Sequence, residues 1–292
     1  MIRNAFLILY MKYSRLYLLS CVFSGLEVLC IVLRKLVYPC RYGDLCPFFH
    51  RPKKQICLLF NLGVHFIFDS WSAHLTDFNH PWLTVPSVVR YCEAVRAKGC
   101  PLPFCWGFID GTVRKMSRPI RHQREVFNGH QRVHSLKFQS VVIPNGLIAN
   151  LFGPMSGRRH DAALLNESGI LDHMVTNMNG PDGHPLTVYG DPAYPLTSHV
   201  IRPFRGQNLG EEQQAFNTAM NKVRQAVEWE FGKVVRMWAF LDFEKNLKLF
   251  LPPVGKLYMV GVLLTNCHTR LHGSETSQYF GLNPPTLEEY LY

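Results

Sequence analysis

The chain has 292 residues, 47% of them hydrophobic, which is enough apolar sequence for a substantial core and excludes a disordered tail or a fibre. Its 31 lysines and arginines exceed its 21 acids by ten charges, which favours a polyanionic partner over an acidic or neutral small-molecule substrate. Nine cysteines without a C-x-x-C pair indicate reduced, mostly buried thiols rather than a disulfide set or a zinc ribbon.

The first hundred residues are the most basic third, with 12 lysines and arginines against 5 acids, and their pattern predicts a mainly helical N-terminal region, residues 1–100. Two apolar runs, residues 5–11 and 16–26, are too short to span a membrane, which takes about 20 residues. We expect both runs to be helices in a core, with a membrane-associated segment as the alternative, and we expect no membrane partner. Breaks are predicted at residues 38–44, 51–52 and 79–81.

Residues 101–273 have a different pattern, which predicts a sheet. The apolar run 104–109 predicts a buried strand that ends at Asp110. Residues 187–191 predict a further short strand, which ends at Asp191. Both strands are therefore expected to present a carboxylate where they end.

The clearest hairpin signal lies between these two strands. Residues 135–143 and 146–152 are apolar runs that flank Pro144-Asn145, a pair typical of turns. The expected sheet is therefore mostly antiparallel.

From residue 211 the apolar period becomes helical. One stripe recurs at steps of three or four residues: Phe216, Met220, Val223, Val227, Phe231 and Val234. A second apolar stretch, residues 257–264, predicts a packing helix. Residues 274–292 are expected to form an acidic C-terminal tail.

Three aspartates lie in apolar or glycine-rich sequence, where an unpaired charge is costly: Asp110, Asp161 and Asp191. Converging carboxylates bind Mg²⁺ or Mn²⁺ and can hold two ions at a phosphodiester. On the long helix, Glu228 and Glu230 are about 200° apart, so only one of them can join the aspartates. Glu228 is closer to the apolar stripe, so we expect Glu228 to face the sheet and Glu230 to face solvent.

Five segments follow one another in the sequence with these acids among them. They are FIDGT at 108–112, FNGHQRVHSLKFQSV at 127–141, PNGLIANLFGPMSGRRHDAALL at 144–165, YGDPAYPL at 189–196 and VEWEFG at 227–232. Together they closely resemble the transposase domain of Harbinger-type DNA transposons, in the order that this family has. The resemblance covers residues 103–273, and the terminal FGLNPPTLEEY is similar to the same lineage.

The resemblance implies an α/β, ribonuclease-H-like fold, with a mixed sheet flanked by helices and a mainly helical N-terminal region before it. It implies a metal-dependent DDE nuclease or transposase that cuts DNA at transposon ends, with Mg²⁺ or Mn²⁺ as cofactor. By motif, Asp110, Asp191 and Glu228 are the catalytic residues, and Asp161 is an additional metal ligand. The family further implies a nuclear location, transposon terminal repeats as the DNA partner and a Myb-like partner protein.

Basic residues flank these acids in the sequence. The predicted DNA contacts are Arg114, Lys115, Arg132, Arg158, Arg159 and His160. We expect them to neutralise DNA phosphates around the cut, and the alternative is a solvated basic surface.

Two other functions remain open from the sequence. The chain can be a catalytically silent, domesticated transposase-derived module that binds DNA or protein, because transposon copies decay and are recruited as host genes. It can also be a phosphodiesterase for RNA or small nucleotides, since the same acids would serve. Residues 38–50 resemble the helical region that precedes the catalytic domain in this family, but the chain before them is short, which predicts a missing or altered DNA-recognition helix. A homo-oligomer is also left open.

Overall fold

The computed structural model describes residues 16–18, 21–248 and 253–291. It begins with an antiparallel pair of short strands, β1 (Leu16–Leu18) and β2 (Cys21–Phe23). The helix predicted for residues 16–26 is therefore wrong for most of that run, whose aromatic and β-branched residues favour strands. The prediction for residues 5–11 lies outside the described residues.

Five helices follow and make the N-terminal region mainly helical, as predicted. They are α1 (Gly25–Val37), α2 (Tyr42–Phe49), α3 (Lys53–Trp71), α4 (Ala73–Thr76) and α5 (Val85–Ala97). Three of the four interruptions between these helices fall at the predicted breaks, which contain prolines, and the fourth, at Ser72 between α3 and α4, was not predicted. Over the described part of the chain, no helix has the length and apolarity needed to cross a bilayer.

A mixed sheet forms the centre of the molecule. Its strands are β3 (Cys105–Lys115), β4 (Phe127–Asn128), β5 (Val133–Val142), β6 (Ile148–Ser156), β7 (Thr187–Tyr189) and β8 (Val200–Ile201). The short helices among them are α6 (Gln123–Val126), α7 (Asp161–Glu167) and α8 (Ile170–Asn177).

The strand order is β6-β5-β3-β7-β8, with β4 also paired to β5. The pairs β3–β5 and β5–β6 are antiparallel, which confirms the predicted hairpin, whereas β3–β7 and β7–β8 are parallel. The pair β4–β5 is also antiparallel, so three of the five strand pairs confirm the expectation of a mostly antiparallel sheet, and the two short strands after the hairpin join it in parallel. A mixed sheet flanked by helices confirms the α/β class and is consistent with a ribonuclease-H-like fold.

The C-terminal part is helical and packs onto the sheet. It contains α9 (Glu211–Met237), two 3-10 turns (Ala239–Asp242 and Glu244–Asn246), α10 (Val254–His272), α11 (Glu275–Phe280) and α12 (Leu287–Leu291). Both predicted helices are confirmed by α9 and α10. The residues after 273 form α11 and α12, and Phe280, Leu287 and Tyr290 are buried in the core.

The sheet has two covered faces, and β3 contributes to both. Phe108 packs in one cluster with α1, α3, α9 and α10, and we name this side the α9 face. Ile109 packs in the other cluster with α5, α7 and α8, and we name this side the α7 face. Successive strand residues point to opposite faces, so this alternation decides which neighbours each functional side chain meets.

Candidate active site

Asp110 lies within β3, five residues before its end, and not at the end of a strand. The apolar run ends at Ile109, but the polar residues that follow continue the pairing with β5, from Asp110 opposite Ser140 to Lys115 opposite Ser135. The predicted strand end was therefore wrong, because backbone pairing continues where apolar sequence stops. Asp110 is two residues after Phe108 and so points to the α9 face.

Asp191 follows β7, the strand that pairs with β3 in parallel, and lies near Asp110. Phe108 pairs with Tyr189, where β7 ends, and Asp191 follows two residues later in the turn, close enough for its charge to act on Asp110. The Oδ1 atom of Asp191 accepts a hydrogen bond from the backbone N–H of Ala193 at 2.8 Å, which fixes the turn after β7. The two predicted aspartates are thus brought together.

Helix α9 brings a cation to this pair. Arg224 Nη2 donates to Asp110 Oδ2 at 2.7 Å, and both side chains are more than four-fifths buried. The backbone N–H of Gly111 also donates to Asp110 Oδ1 at 2.8 Å. Sequence reasoning missed Arg224, although an arginine on a helix that packs over a buried aspartate is the partner such a charge needs.

The neighbouring carboxylates contribute to a raised pKa of Asp110. Burial raises the pKa of Asp110 to about 6; the charge of Arg224 opposes this, and the negative charges of Asp191 and, more weakly, Asp161 add to it. Below them, the Tyr194 side chain is fully buried, and its hydroxyl has no hydrogen-bond partner among the described residues. The pKa of Tyr194 is raised by burial and by all three aspartates, so negative charge is concentrated at this point of the fold.

A cavity of about 230 Å³ opens beside Asp191. One wall is a face of α9, which contributes Asn217, Asn221 and Arg224, and Pro203 and Phe204 line another side. The site therefore combines carboxylates, one guanidinium and two amides around a space large enough for a small polar group.

Asp161 occupies the opposite face of the sheet. A Cβ atom on Gly111 would lie 2.2 Å from Asp161 Oδ1, so Asp161 meets β3 at the residue that follows Asp110 and points the other way. Lys137 Nζ lies 2.8 Å from Asp161 Oδ1 and also donates to the carbonyl oxygen of Arg159 at 3.2 Å. The structure therefore does not bring Asp161 into one ligand set with Asp110 and Asp191, because strand alternation separates them.

The two glutamates of α9 are placed in the reverse of the predicted order. Glu230 is 1% exposed, whereas Glu228 is exposed. The buried stripe of α9 passes through Val223, Val227 and Val234 and includes position 230 between them. The predicted orientation was wrong because it judged Glu228 by its sequence neighbour and not by the three-to-four step, which leads from Val227 to Glu230.

Glu228 nevertheless lies on the face of α9 that meets the acids. It is one helical turn after Arg224, and positions 217, 221, 224 and 228 fall within about 60° of the helix circumference. Asn217, Asn221 and Arg224 line the cavity beside Asp191, so Glu228 continues that row by one turn, about 6 Å along the axis. Among the described residues, its side chain has neither a hydrogen bond nor an ion pair.

Across the described ranges, no three His, Cys, Asp or Glu side chains stand close enough to hold a metal ion as a ready-made cluster. The donor chemistry still fits a hard divalent cation, because Asp110, Asp191 and Glu228 offer only carboxylate oxygens. Arg224 now supplies the positive charge that this concentration of carboxylates requires. The residues present therefore fit Mg²⁺ or Mn²⁺.

The predicted DNA contacts divide into two groups. Three have partners within the chain: Arg114 over the ring of Tyr258, Lys115 near Glu244 and Arg159 paired with Glu167. The other three are exposed: Arg132, Arg158 and His160. These last residues remain available to a polyanion, whereas Arg114 is in part a packing residue.

An α/β sheet with two neighbouring aspartates, covered by a helix that carries an arginine and a glutamate, is compatible with a carboxylate-based nuclease. Residues 109–266, more than half of the chain, match the family model described as DDE superfamily endonuclease. The chain belongs to this family.

Part of the chain is also similar to another protein. This is the probable transposase for insertion sequence element IS702 from Microchaete diplosiphon, 27% identical over 120 residues. The alignment covers 41% of this chain and 42% of the relative, so the chain spans less than half of that protein's length. No solved structure matches the chain.

Proposed function

We propose that the chain is a divalent-metal-dependent DNA endonuclease of the Harbinger transposase type, which cuts phosphodiester bonds at transposon ends. The observation that carries the proposal is the proximity of Asp110 on β3 to Asp191 in the turn after the neighbouring parallel strand β7, in a chain of the DDE endonuclease family. A nuclear location, terminal repeats as the DNA and a Myb-like partner belong to the same proposal and rest on the sequence resemblance.

Asp110, Asp191 and Glu228 would hold the cation. When bound, Mg²⁺ or Mn²⁺ lowers the pKa of an attacking water or hydroxyl and stabilises charge at the phosphorus. The carboxylate of Asp110 is held in place by Gly111 and Arg224, and that of Asp191 by the turn at Ala193. These bonds orient the ligands in advance, which lowers the reorganisation that binding requires.

The cavity beside Asp191 is the place for the scissile phosphodiester. Asn217 and Asn221 offer amide N–H donors to its oxygens, and Arg224 offers a guanidinium to the charge that develops on them. The buried phenol of Tyr194 lies within electrostatic reach of all three aspartates. No covalent bond between protein and DNA is needed for this reaction.

The test is cleavage of a labelled duplex that carries the transposon's terminal repeats, with Mg²⁺ or Mn²⁺ added or chelated. Asp110→Asn, Asp191→Asn and Glu228→Gln should each reduce cleavage by at least about a thousandfold while DNA binding persists. Lys222→Gln, an exposed change on α9, is the control and should cleave normally. Cleavage at the normal rate by the three acid variants would overturn the proposal.

A silent, domesticated module is the second candidate. It is favoured by the absence, among the described residues, of a ready-made three-ligand cluster. If it is correct, the purified chain binds DNA but shows no metal-dependent cleavage, also when a Myb-like partner is added.

A further inference from the structure

A second cavity lies far from the carboxylates, between the N-terminal helices and the 3-10 turns after α9. Its volume is about 770 Å³. Four cations line it, each from a different segment: Lys35 on α1, Arg41 before α2, Lys53 at the start of α3 and Lys245 in the second 3-10 turn. We name it the basic cleft.

No carboxylate is among the described residues that line the basic cleft. Asp44 is an acid close to this lining: its Oδ2 atom accepts the backbone N–H of Arg41 at 2.7 Å, and its charge acts on Lys35. Within the described part of the chain, Arg41, Lys53 and Lys245 are exposed and form no ion pair. The cleft therefore holds a positive charge that the protein itself does not neutralise.

Lys35 shows most clearly that the positive charge of the basic cleft is not fully compensated. It is 4% exposed, its Nζ atom lies 4.8 Å from the ring centroids of both Tyr42 and Phe240, and it donates to the carbonyl oxygen of Cys40. Ring faces and a carbonyl stabilise an ammonium group only in part, and burial lowers the pKa of Lys35.

Lys137 and Arg224 are buried cations that lie beside a carboxylate oxygen, at 2.8 Å and 2.7 Å. Lys35 has no such partner, and in this it resembles Arg270, which lies over the Tyr290 ring and donates to the carbonyl oxygens of Pro285 and Thr286. Lys35 also lines a cavity with three further cations, so an anion from outside the chain has room beside it.

The shape of the cleft indicates which anion. A single phosphate or chloride is much smaller than 770 Å³, whereas a run of phosphoryl groups can contact cations that come from four separate segments. Phe243, which lines the cleft, is 40% exposed and offers a ring to a sugar or base beside the phosphates. The chemistry is that of a polyphosphate or a nucleic-acid backbone.

We propose that the basic cleft binds consecutive phosphoryl groups and that, in a chain that acts on DNA, these belong to the backbone that flanks the cut. The DNA form of this inference rests on the proposed function. Phe243 and Lys245, which line the cleft, follow α9 in the chain, and Arg224 and the end of α9 are about 20 Å apart along the helix axis. The contacted phosphates therefore lie several nucleotides from the one at Asp110.

The experiment measures binding in chelator, where no cleavage occurs, with the full chain and two probes: a short labelled DNA duplex and inorganic pyrophosphate. The test variant is Lys53→Gln with Lys245→Gln. The matched control is Lys54→Gln with Lys98→Gln, which removes two exposed lysines outside the cleft. Asp110→Asn is measured in parallel, because it impairs the proposed chemistry and leaves the cleft intact.

The cleft variant should bind the duplex roughly tenfold more weakly, and the slope of log Kd against log salt should fall by about two relative to the control. Weaker binding of pyrophosphate alone, with duplex binding unchanged, would support the phosphoryl site and assign it to a free polyphosphate. If both probes bind the cleft variant as they bind the control, the inference is overturned. Asp110→Asn should bind the duplex normally, so a failed cleavage assay and a failed cleft are told apart.

Discussion

Two buried acid–base pairs lie on opposite faces of β3. One contains Asp110 of this strand, and the other lies against the next residue, Gly111. On the α9 face, Asp110 pairs with Arg224; on the α7 face, Asp161 pairs with Lys137 beside Gly111. All four side chains are between 10% and 19% exposed, so burial does not distinguish the pairs. Their surroundings do: Arg224 lines a cavity that Asp191 shares, whereas Lys137 and Asp161 line none of the cavities described above.

The same type of ion pair therefore has two roles. Beside Asp191, the charge of Asp110 is exposed to a second carboxylate and can be shared with a cation that enters from outside. Beside Gly111, the charge of Asp161 is confined by packing and ties α7 to β5. A buried carboxylate in a motif is thus a ligand only where a second carboxylate and free space lie next to it.

The largest expected difference is in cleavage. Asp161→Asn keeps the shape of the side chain and lies outside the carboxylate pair, so we expect cleavage within about tenfold of the wild type. Asp110→Asn should reduce cleavage by at least about a thousandfold in the same assay. Equal losses in both variants would place Asp161 in the metal set, as the family motif implies.

The cations of the two pairs should differ in their response to metal. Lys137→Met and Arg224→Gln each leave a buried carboxylate without its partner, which costs about 3 kcal/mol of unfolding free energy in chelator. Added Mg²⁺ should restore stability to Arg224→Gln, because the ion supplies the missing charge, and should leave Lys137→Met unchanged. Thermal unfolding with and without Mg²⁺ measures this, with Lys222→Gln as the surface control.

A Mg²⁺ effect of the same size in both variants would contradict the assignment of separate roles. The assignment would also be contradicted if Mg²⁺ stabilised Arg224→Gln no more than it stabilises the wild type.

A smaller effect is expected at the glycine between the pairs. Gly111→Ala places a methyl group where Asp161 Oδ1 lies, so the carboxylate must move away from Lys137, at a cost of about 1–3 kcal/mol. In an Asp161→Ala background the same change should cost much less. Urea unfolding of the four proteins in this cycle gives the coupling, and additive costs would show that the two residues do not meet.

The smallest effect concerns the buried glutamate of α9. Burial raises the pKa of Glu230, against the opposing influence of Lys233, Thr276 and Ser274. The folded protein therefore binds the proton more tightly than the unfolded chain, and its stability falls as the pH rises from about 4.5 through the raised pKa. Glu230→Gln mimics the protonated form and should match the wild type at low pH but exceed it by about 1 kcal/mol near neutral pH.

Glu228→Gln is the matched control for this measurement, because Glu228 is exposed on the same helix. A stability difference for Glu230→Gln that is independent of pH would contradict the role of ionisation.

The sequence predicts much of this architecture because local signals agree with the fold. Pro144-Asn145 marks the hairpin, and the apolar stripe marks α9 over its whole length. What could not be read locally depends on distant residues. Glu230 is buried because Ser274 and Thr276 contact it from more than forty residues away, and Asp161 reaches the other face because of strand alternation in β3.

The pairing of Asp110 with Asp191 could be anticipated, since both follow predicted strands, but the arginine between them could not. The partner of Asp110 is 114 residues away in the sequence, and only packing of α9 on the sheet brings it there. The motifs therefore identify the candidate ligands, and the fold identifies what balances their charge.

The hydrogen bond between Tyr290 and Asn266 bears on how the protein folds. The last helix, α12, places the Tyr290 hydroxyl 2.9 Å from the side chain of Asn266, and Asn266 bonds both backbone groups of Ile148 at the start of β6. These bonds span 118 and 24 residues of sequence, so the hairpin is tied to a helix that is synthesised much later. The contacts that hold the hairpin therefore include contacts of high sequence separation, which are slow to form during folding.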